Sequence, residues 1–400
     1  MHALSILAIV LAWLIAVAWT QRTLTALRNL PRIPNLLDPR YDPSREPASD
    51  PVPPQITVIV PARNEAASIE ATLRSLLAQT IPIEIFAVDD RSSDATGALM
   101  DRIAAQPPPA GKYLSVIHLD SLPPGWLGKN HAMAIAARQS ATPWLLFTDA
   151  DVLFSPDTLE RALRYAANSA VDHLVLLPTL VFQSPSERMM ASVFQSLSLL
   201  AWRPWKIADP QARRDSIGMG AFNLIRSPVY QATGGFEAFP MEVLEDLRLG
   251  YEVKHRGFRQ HMVLGFGLIR LHWAAGALGM VHNLTKNIYA TFRFRSSLLL
   301  GAWLGLLVVC FAPIAGLFAP WPIRAASLVS LAMIVLLYRL TSRHYNRIAP
   351  VYFLTFPLAV ALVLYAMLRS MIVTVARRGV VWRGTFYPLR ELRRHAGPLR

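Results

Sequence analysis

Apolar residues in this chain gather at residues 3–19 and again beyond residue 298, while the stretch between them has the mix of an ordinary soluble domain. Such a chain must seat its two ends in lipid and fold its middle in water. A length of 400 residues leaves room for one sizeable globular domain plus several membrane segments.

The run ALSILAIVLAWLIAVAW (3–19) lies at the short end of the spanning range. It has no Lys or Arg ahead of it, and no small-x-small cleavage site follows before Arg22, so a signal anchor is expected rather than a cleaved signal peptide. Arg22, Arg28 and Arg32 follow it, which predicts the N-terminus outside and the next domain inside. Later apolar segments are expected over about 298–319, 322–338 and 351–368, with Pro313 and Pro357 kinking two of them. Three crossings would put the tail outside. Yet that tail carries Arg369, Arg377, Arg378, Arg383, Arg390, Arg393, Arg394 and Arg400, which favour the cytoplasm, so one late segment is expected to be re-entrant or interfacial.

The net charge of +14 is carried almost entirely by Arg, clustered beside hydrophobic spans as in Arg339, Arg343 and Arg347. With no aromatic-and-basic RNA-binding pattern and no zinc-finger spacing, the partner is a membrane surface and not nucleic acid. The single Cys310 sits in an apolar segment without Cys or His neighbours, and reads as a packing residue.

Pro39, Pro43, Pro47, Pro51, Pro53 and Pro54 predict an extended, semi-rigid linker. From Gln55 onward, short β-branched runs alternate with amphipathic stretches. Strands are expected at ITVIV (56–60), IEIFAV (83–88), LSVIHL (114–119) and WLLFT (144–148), with helices near 65–79, 93–104 and 129–139. This alternation implies an α/β domain with a mostly parallel sheet, and ligands at the carboxyl ends of its strands.

Carboxylates gather along that edge: Glu65 after the first strand, Asp89, Asp90 and Asp94 after the second, and Asp149 and Asp151 after the fourth. An acidic cluster of this kind is costly unless it binds a cation or meets ligand hydroxyls. Acids at i and i+2 past a buried strand suit a divalent metal and a sugar hydroxyl together, although a lone Asp-x-Asp is often a solvated turn. Asp90 suits a nucleobase edge, and Ser93 or Asp94 suits a helix N-cap.

The ordered runs VIVPARNE, VDDRSSD, LGKNHAMAIAA, FTDAD, GGF and LEDLRLG resemble glycosyltransferase family 2 over about residues 55–295. The resemblance implies a GT-A-like (Rossmann-like) nucleotide-sugar domain, inversion at the sugar carbon, and Mg²⁺ or Mn²⁺ as cofactor. It implies that Pro61, Ala62, Arg63 and Glu65 line the nucleoside pocket, that Asp90 meets the base, and that Lys129 sits near the donor. Asp149, with Ala150, would approach the ribose, and Asp151, with Asp149, would hold the metal. Glu245-Asp246 matches the family's acidic pair, with Asp246 as general base, a role the chemistry of inversion requires of some residue. The pair is also favourable charge for a helix's first turn. Gly234-Gly235-Phe236 precedes it at the expected interval.

Processive members carry Gln-x-x-Arg-Trp at the membrane surface. Here the place reads Thr291-Phe292-Arg293-Phe294-Arg295 with Lys286 upstream, so transfer of a single sugar is expected. Arg293 and Arg295 suit either the diphosphate or lipid headgroups. Residues 189–205, with Trp202 and Trp205, are expected to form an interfacial helix near the acceptor entrance, the alternative being a buried helix. His272, Trp273 and His282 are assigned no role.

The expected organisation is an anchor (1–21), a Pro-rich linker (22–54), a catalytic domain (55–295), membrane helices (296–376) and a basic tail (377–400). The protein is expected in the inner (cytoplasmic) membrane with its catalytic domain in the cytoplasm, moving a sugar from a nucleotide-sugar to a lipid acceptor; the oligomeric state stays open. A nucleotidyltransferase would show a Gly-rich, Lys-containing loop where PARNE stands. An inactive scaffold of the same fold would be expected to have lost Asp151 or Asp246.

Overall fold

A computed structural model describes residues 2–43 and 55–397. Helix α1 (His2–Asn29) is followed, among the described residues, by short 3-10 turns at Leu30–Arg32 and Pro39–Tyr41 and then by strand β1 (Ile56–Ala62). Then follow α2 (Ile69–Leu77), β2 (Ile83–Asp90), α3 (Thr96–Ala104), β3 (Lys112–Leu119), α4 (Gly128–Gln139) and β4 (Trp144–Phe147). All four expected strands are present. Every residue of β1 is buried, as a strand covered on both faces requires.

Helix α2 buries Ile69, Leu73 and Leu76, one stripe at helical spacing. It starts at Ile69 and not near 65, because the preceding loop's donors are satisfied sideways by the loop after β2. Asn64 N donates to Ser92 Oγ (3.0 Å), Glu65 N to Thr96 Oγ1 (2.8 Å) and Ala66 N to Asp94 Oδ2 (3.2 Å). Asp94 also accepts from Thr96 N (3.0 Å), holding the start of α3.

The second half of the domain adds β5 (Leu153–Phe154), α5 (Thr158–Asn168), β6 (His173–Leu176), β7 (Thr179–Leu180) and α6 (Pro185–Ala201). After these come β8 (Asn223–Arg226), α7 (Ser227–Thr233), α8 (Glu245–His255), β9 (Gln260–Val263), β10 (Ile269–Leu271) and α9 (Gly276–Thr291). The main sheet runs β3-β2-β1-β4-β8-β6-β9. Its pairs are parallel except where β8 lies antiparallel between β4 and β6, so it is a mixed α/β sheet of mostly parallel pairs. The strand order reverses between β1 and β4, the place where such sheets open a crevice.

The membrane region comprises α1 with α10 (Ser296–Ala315), α11 (Trp321–His344) and α12 (Phe356–Ala376). Among the described residues, four stretches are long and apolar enough to cross a membrane: Leu4–Arg32, Ser296–Phe318, Trp321–His344 and Pro350–Ala376. Buried side chains lock them together. Trp19 Nε1 donates to Val309 O (3.1 Å), Thr23 Oγ1 to Met333 O (3.3 Å) and Trp303 Nε1 to Leu364 O (3.1 Å).

Contacts at both ends of the last stretch bear on the tail. Before it, Asn346 Oδ1 accepts from Leu180 N (2.6 Å) and Arg347 stacks on Phe266, both residues of the catalytic domain. After it, the chain forms the hairpin β11 (Gly379–Trp382) and β12 (Thr385–Pro388) and the short α13 (Leu389–His395), which pack back on the same domain. Phe356 meets Tyr338, only about 9 Å of helical rise from the end of α11. Both ends of the last stretch thus touch the domain, the arrangement expected of a re-entrant segment, and α12 lies along α9, with Ser370 Oγ bridging Tyr289 N and Thr285 O.

Two other expectations change. Residues 22–29 continue α1, and the next stretch is no extended linker. Leu30, Ile33, Leu36 and Tyr41 are buried, and Leu36 N and Leu264 N exchange bonds with Leu264 O and Pro34 O, because apolar side chains there find cover on the domain. Pro47, Pro51, Pro53 and Pro54 lie outside the described residues. Helix α6 begins earlier than expected, with Pro185 in its first turn and Ser184 capping Glu187 N. It is wedged against α9, α11 and α12, burying Met190 and Val193 and leaving Phe194 exposed against Trp273.

Candidate active site

The expected nucleoside residues lie at the carboxyl ends of β1 and β2. Pro61 and Ala62 are buried in β1, paired with Val88 and Asp89 of β2. Arg63 and Glu65 follow where the chain leaves the sheet, and both reach the C-terminal hairpin: Arg63 Nη1 donates to Thr385 Oγ1 (3.0 Å), and Glu65 Oε1 accepts from Arg383 Nη2 (2.8 Å). Asp90 is buried, paired with Arg91 (2.8 Å) and pressed against Gly128, where a Cβ would meet its Oδ2 at 2.1 Å. Gly128 opens α4, and its N–H donates to the hydroxyl of Tyr387 (3.2 Å).

Lys129 stands at the centre of the site. Its ammonium lies 2.6 Å from Asp149 Oδ1 and 2.7 Å from Glu245 Oε1, joining the loop after β4 to the start of α8. Burial works against its charge, but Asp149, Glu245 and Asp246 outweigh that and hold it protonated far above the ordinary lysine range. Burial also works against Asp149, whose pKa is nonetheless lowered by Lys129, with Arg383 and Lys286 adding to the effect. Glu245 moves the other way: burial raises it, and Lys129 offsets this only in part.

Asp151 has different surroundings. It opens to solvent at the mouth of the cleft, and desolvation by the wall behind it, then the charges of Asp149 and Glu65, push its pKa up to about 6. Ala150 between the two acids is buried, and its carbonyl accepts from Thr72 Oγ1 (2.9 Å), fixing the loop to α2. Among the described residues, no group of three or more His, Cys, Asp or Glu side chains is arranged to hold a metal. Any cation here must draw further oxygens from a ligand or water.

Asp246 is fixed by two backbone donors, Gly220 N to Oδ2 (2.9 Å) and Leu247 N to Oδ1 (2.6 Å). The segment Ile217-Gly218-Met219-Gly220 threads between the acids. A Cβ on Gly218 would meet Asp246 O at 1.7 Å, and one on Gly220 would meet Asp149 Oδ2 at 2.5 Å. Gln260 clamps this segment, accepting from Ile217 N (2.9 Å) and donating to Ile217 O (3.0 Å) and Gly250 O (2.9 Å). These glycines escaped the sequence reading, although Gly218-Met219-Gly220 just ahead of a strand was their signal. Gly234 ends α7 in the left-handed region (φ 83°), and Phe236 lines a cavity of about 10 Å³ with Lys129, Glu245 and Asp246.

Arg293 and Arg295 are not brought to the acidic cluster. Arg293 donates to Ala396 O (3.0 Å), and Arg295 is exposed at the start of α10. The cations that act on Asp149 besides Lys129 are Lys286 of α9 and Arg383 of the hairpin turn.

Residues 57–232 match the profile of the family described as Glycosyl transferase family 2. The chain is similar to the 4,4'-diaponeurosporenoate glycosyltransferase of Staphylococcus haemolyticus (strain JCSC1435), 25% identical over 58% of this chain and 60% of the relative. The protein of that description from Staphylococcus aureus (strain MRSA252) is 24% identical over the same shares. The chain thus spans 60% of the length of these curated relatives. Among solved structures it is similar to the mannosyltransferase PcManGT from Pyrobaculum calidifontis in complex with GDP-Man and Mn2+, at 18% identity and TM-score 0.46, covering 92% of this chain and 98% of that one. It is also similar to S. aureus TarS 1-349 in complex with UDP-GlcNAc, at 14% identity and TM-score 0.41, covering 84% and 96%. Residues 57–232, with their acidic loops after β1, β2 and β4, are thus similar to glycosyl transferase family 2.

Proposed function

We propose that this protein transfers one sugar from a nucleotide-sugar, a UDP-sugar in the first instance, to a membrane lipid at the cytoplasmic leaflet, with inversion at the anomeric carbon. The observation that carries the reading is the convergence of Asp149, Lys129, Glu245 and Asp246 at the point where the strand order reverses. Arg on the domain side of the spans supports a cytoplasmic domain. The apolar helices beside the site, and relatives named as 4,4'-diaponeurosporenoate glycosyltransferases, support an acceptor delivered from the bilayer.

In this mechanism Asp246 takes the proton of the acceptor hydroxyl as its oxygen bonds to the anomeric carbon. The bond from that carbon to the diphosphate oxygen breaks, and the nucleoside diphosphate leaves. The N–H groups of Gly220 and Leu247 aim the Asp246 carboxylate, and Lys129 holds Glu245 and Asp149 beside it. Asp151, crowded by two carboxylates and lacking an ion-pair partner among the described residues, fits a divalent cation together with Asp149. Bound Mg²⁺ or Mn²⁺ would offset the charge on the leaving diphosphate. Arg63, Glu65 and Asp90 hold the nucleoside.

Nucleotide release from a panel of UDP- and GDP-sugars by detergent-solubilised protein, with Mn²⁺ or EDTA, tests the reading. Release from one sugar should need the metal and fall about 10²–10⁴-fold in Asp246→Asn. Equal release by both proteins would remove Asp246 as base, and no release from any sugar, with membrane extract added as acceptor, would sink the reading.

A further inference from the structure

We propose that the C-terminal hairpin completes the donor site, with Arg383 and Lys286 as a cationic clamp on the donor's diphosphate. This rests on the donor reading above and adds residues that lie outside its motifs.

The hairpin is latched over the nucleoside residues, through Thr385 to Arg63, Arg383 to Glu65 and Tyr387 to Gly128. Its two-residue turn is Arg383-Gly384, both in the left-handed region (φ 47° and 78°). Such turns favour Asn, Asp or Gly at the first place, so Arg there costs turn stability and requires another reason. Its side chain is turned inward, only 27% exposed, and its charge acts on Asp149.

Lys286 comes from α9, which packs against the hairpin. Its ammonium lies 4.5 Å from the ring centroid of Trp382, the residue before the turn, and among the described residues no carboxylate lies within ion-pairing distance. Asp149 and Glu245 are already taken by Lys129. Burial lowers the pKa of Lys286, and the neighbouring charges of Lys129 and Arg383 lower it further. Lys129 and Arg383 already hold carboxylates, which leaves Lys286 as the cation among the three that an incoming anion would satisfy. A diphosphate held beside Asp149 and Asp151 supplies that anion, and guanidinium and ammonium are the groups that bind it.

The test is calorimetric binding of UDP, UMP, GDP and GMP to the full chain in detergent with Mn²⁺. Arg383→Ala should weaken the bound nucleoside diphosphate about tenfold or more while its monophosphate changes less than about twofold, and Arg383→Lys should recover part of the loss. Lys286→Ala, which leaves the hairpin sequence untouched, should show the same selective loss, and it decides the matter if Arg383→Ala fails to fold. Equal weakening of diphosphate and monophosphate would mean the hairpin is only a strap, and would overturn the clamp. Unchanged or tighter diphosphate binding would overturn it too, the latter marking the hairpin as a plug. If the wild type binds none of the four nucleotides, the donor reading itself fails and the clamp falls with it.

Discussion

The two sides of the loop after β4 solve the same electrostatic problem in opposite ways. On the inner side Lys129 touches both Asp149 and Glu245, and the charges balance within the protein. On the outer side Asp151 faces Asp149 and Glu65 without a cation of its own, and water at the cleft mouth does the screening. One side is a folded-state ion pair; the other leaves like charges crowded together, the place where the proposed mechanism seats a cation. The contrast separates residues that hold the site together from residues that await a ligand.

Breaking the inner side should have the largest effect. Lys129→Met leaves Glu245 and Asp149 without their cation, and losing one partner of a buried pair costs about 3–5 kcal/mol. Denaturant or thermal unfolding in detergent measures it, and wild-type stability in the variant would erase the distinction between the two sides.

The outer side should respond to metal instead. Saturating Mn²⁺ at about 100 times its dissociation constant should stabilise the wild type by about 2.7 kcal/mol at pH 7.5. Asp151→Asn should fold as well as wild type and lose that response. A full metal response in this variant would move the cation elsewhere.

The smallest effect sharpens the comparison by its sign. The pKa of Asp151 is raised, so between its unfolded value and about 6 the folded state holds more protons, and stability from this group falls as pH rises through that window. The pKa of Asp149 is lowered, so its contribution is present above the ordinary carboxylate range and is lost as pH falls below it. Two acids of one motif thus slope in opposite directions. Because Asp151 is open to solvent, its slope is screened to about 1 °C of melting temperature, and Asp151→Asn should remove it.

What was legible beforehand follows the range of the contacts. Strands β1 to β4 and the acids after them stood out because apolar runs and turn residues are neighbours in sequence. The hairpin's partners were not legible: Arg63 meets Thr385 and Gly128 meets Tyr387 across most of the chain, and no local period encodes such a pairing. Its own shape did leave a trace, since Val380-Val381-Trp382 and Thr385-Phe386-Tyr387 flank a two-residue turn, a hairpin signal submerged in a basic tail. The arginines predicted a tail that keeps company with the domain, where the hairpin packs, but the path of the last apolar stretch depended on Asn346 and Phe356 finding partners far away. Lys286 could be named as a base near the site, yet only folding aims it at Asp149 in preference to Arg293 or Arg295.

The hairpin's place after α12 also sets an order of events during synthesis. Arg383 and Tyr387 leave the ribosome after every apolar helix, while Glu65 and Gly128, the residues they contact, were made hundreds of codons earlier. The domain can collapse first, as early parts of a growing chain do, but its latch arrives only once the last apolar segment has been made. Closure of the cleft is thereby tied to the completion of the last apolar helix, and a chain cut short before it lacks the latch.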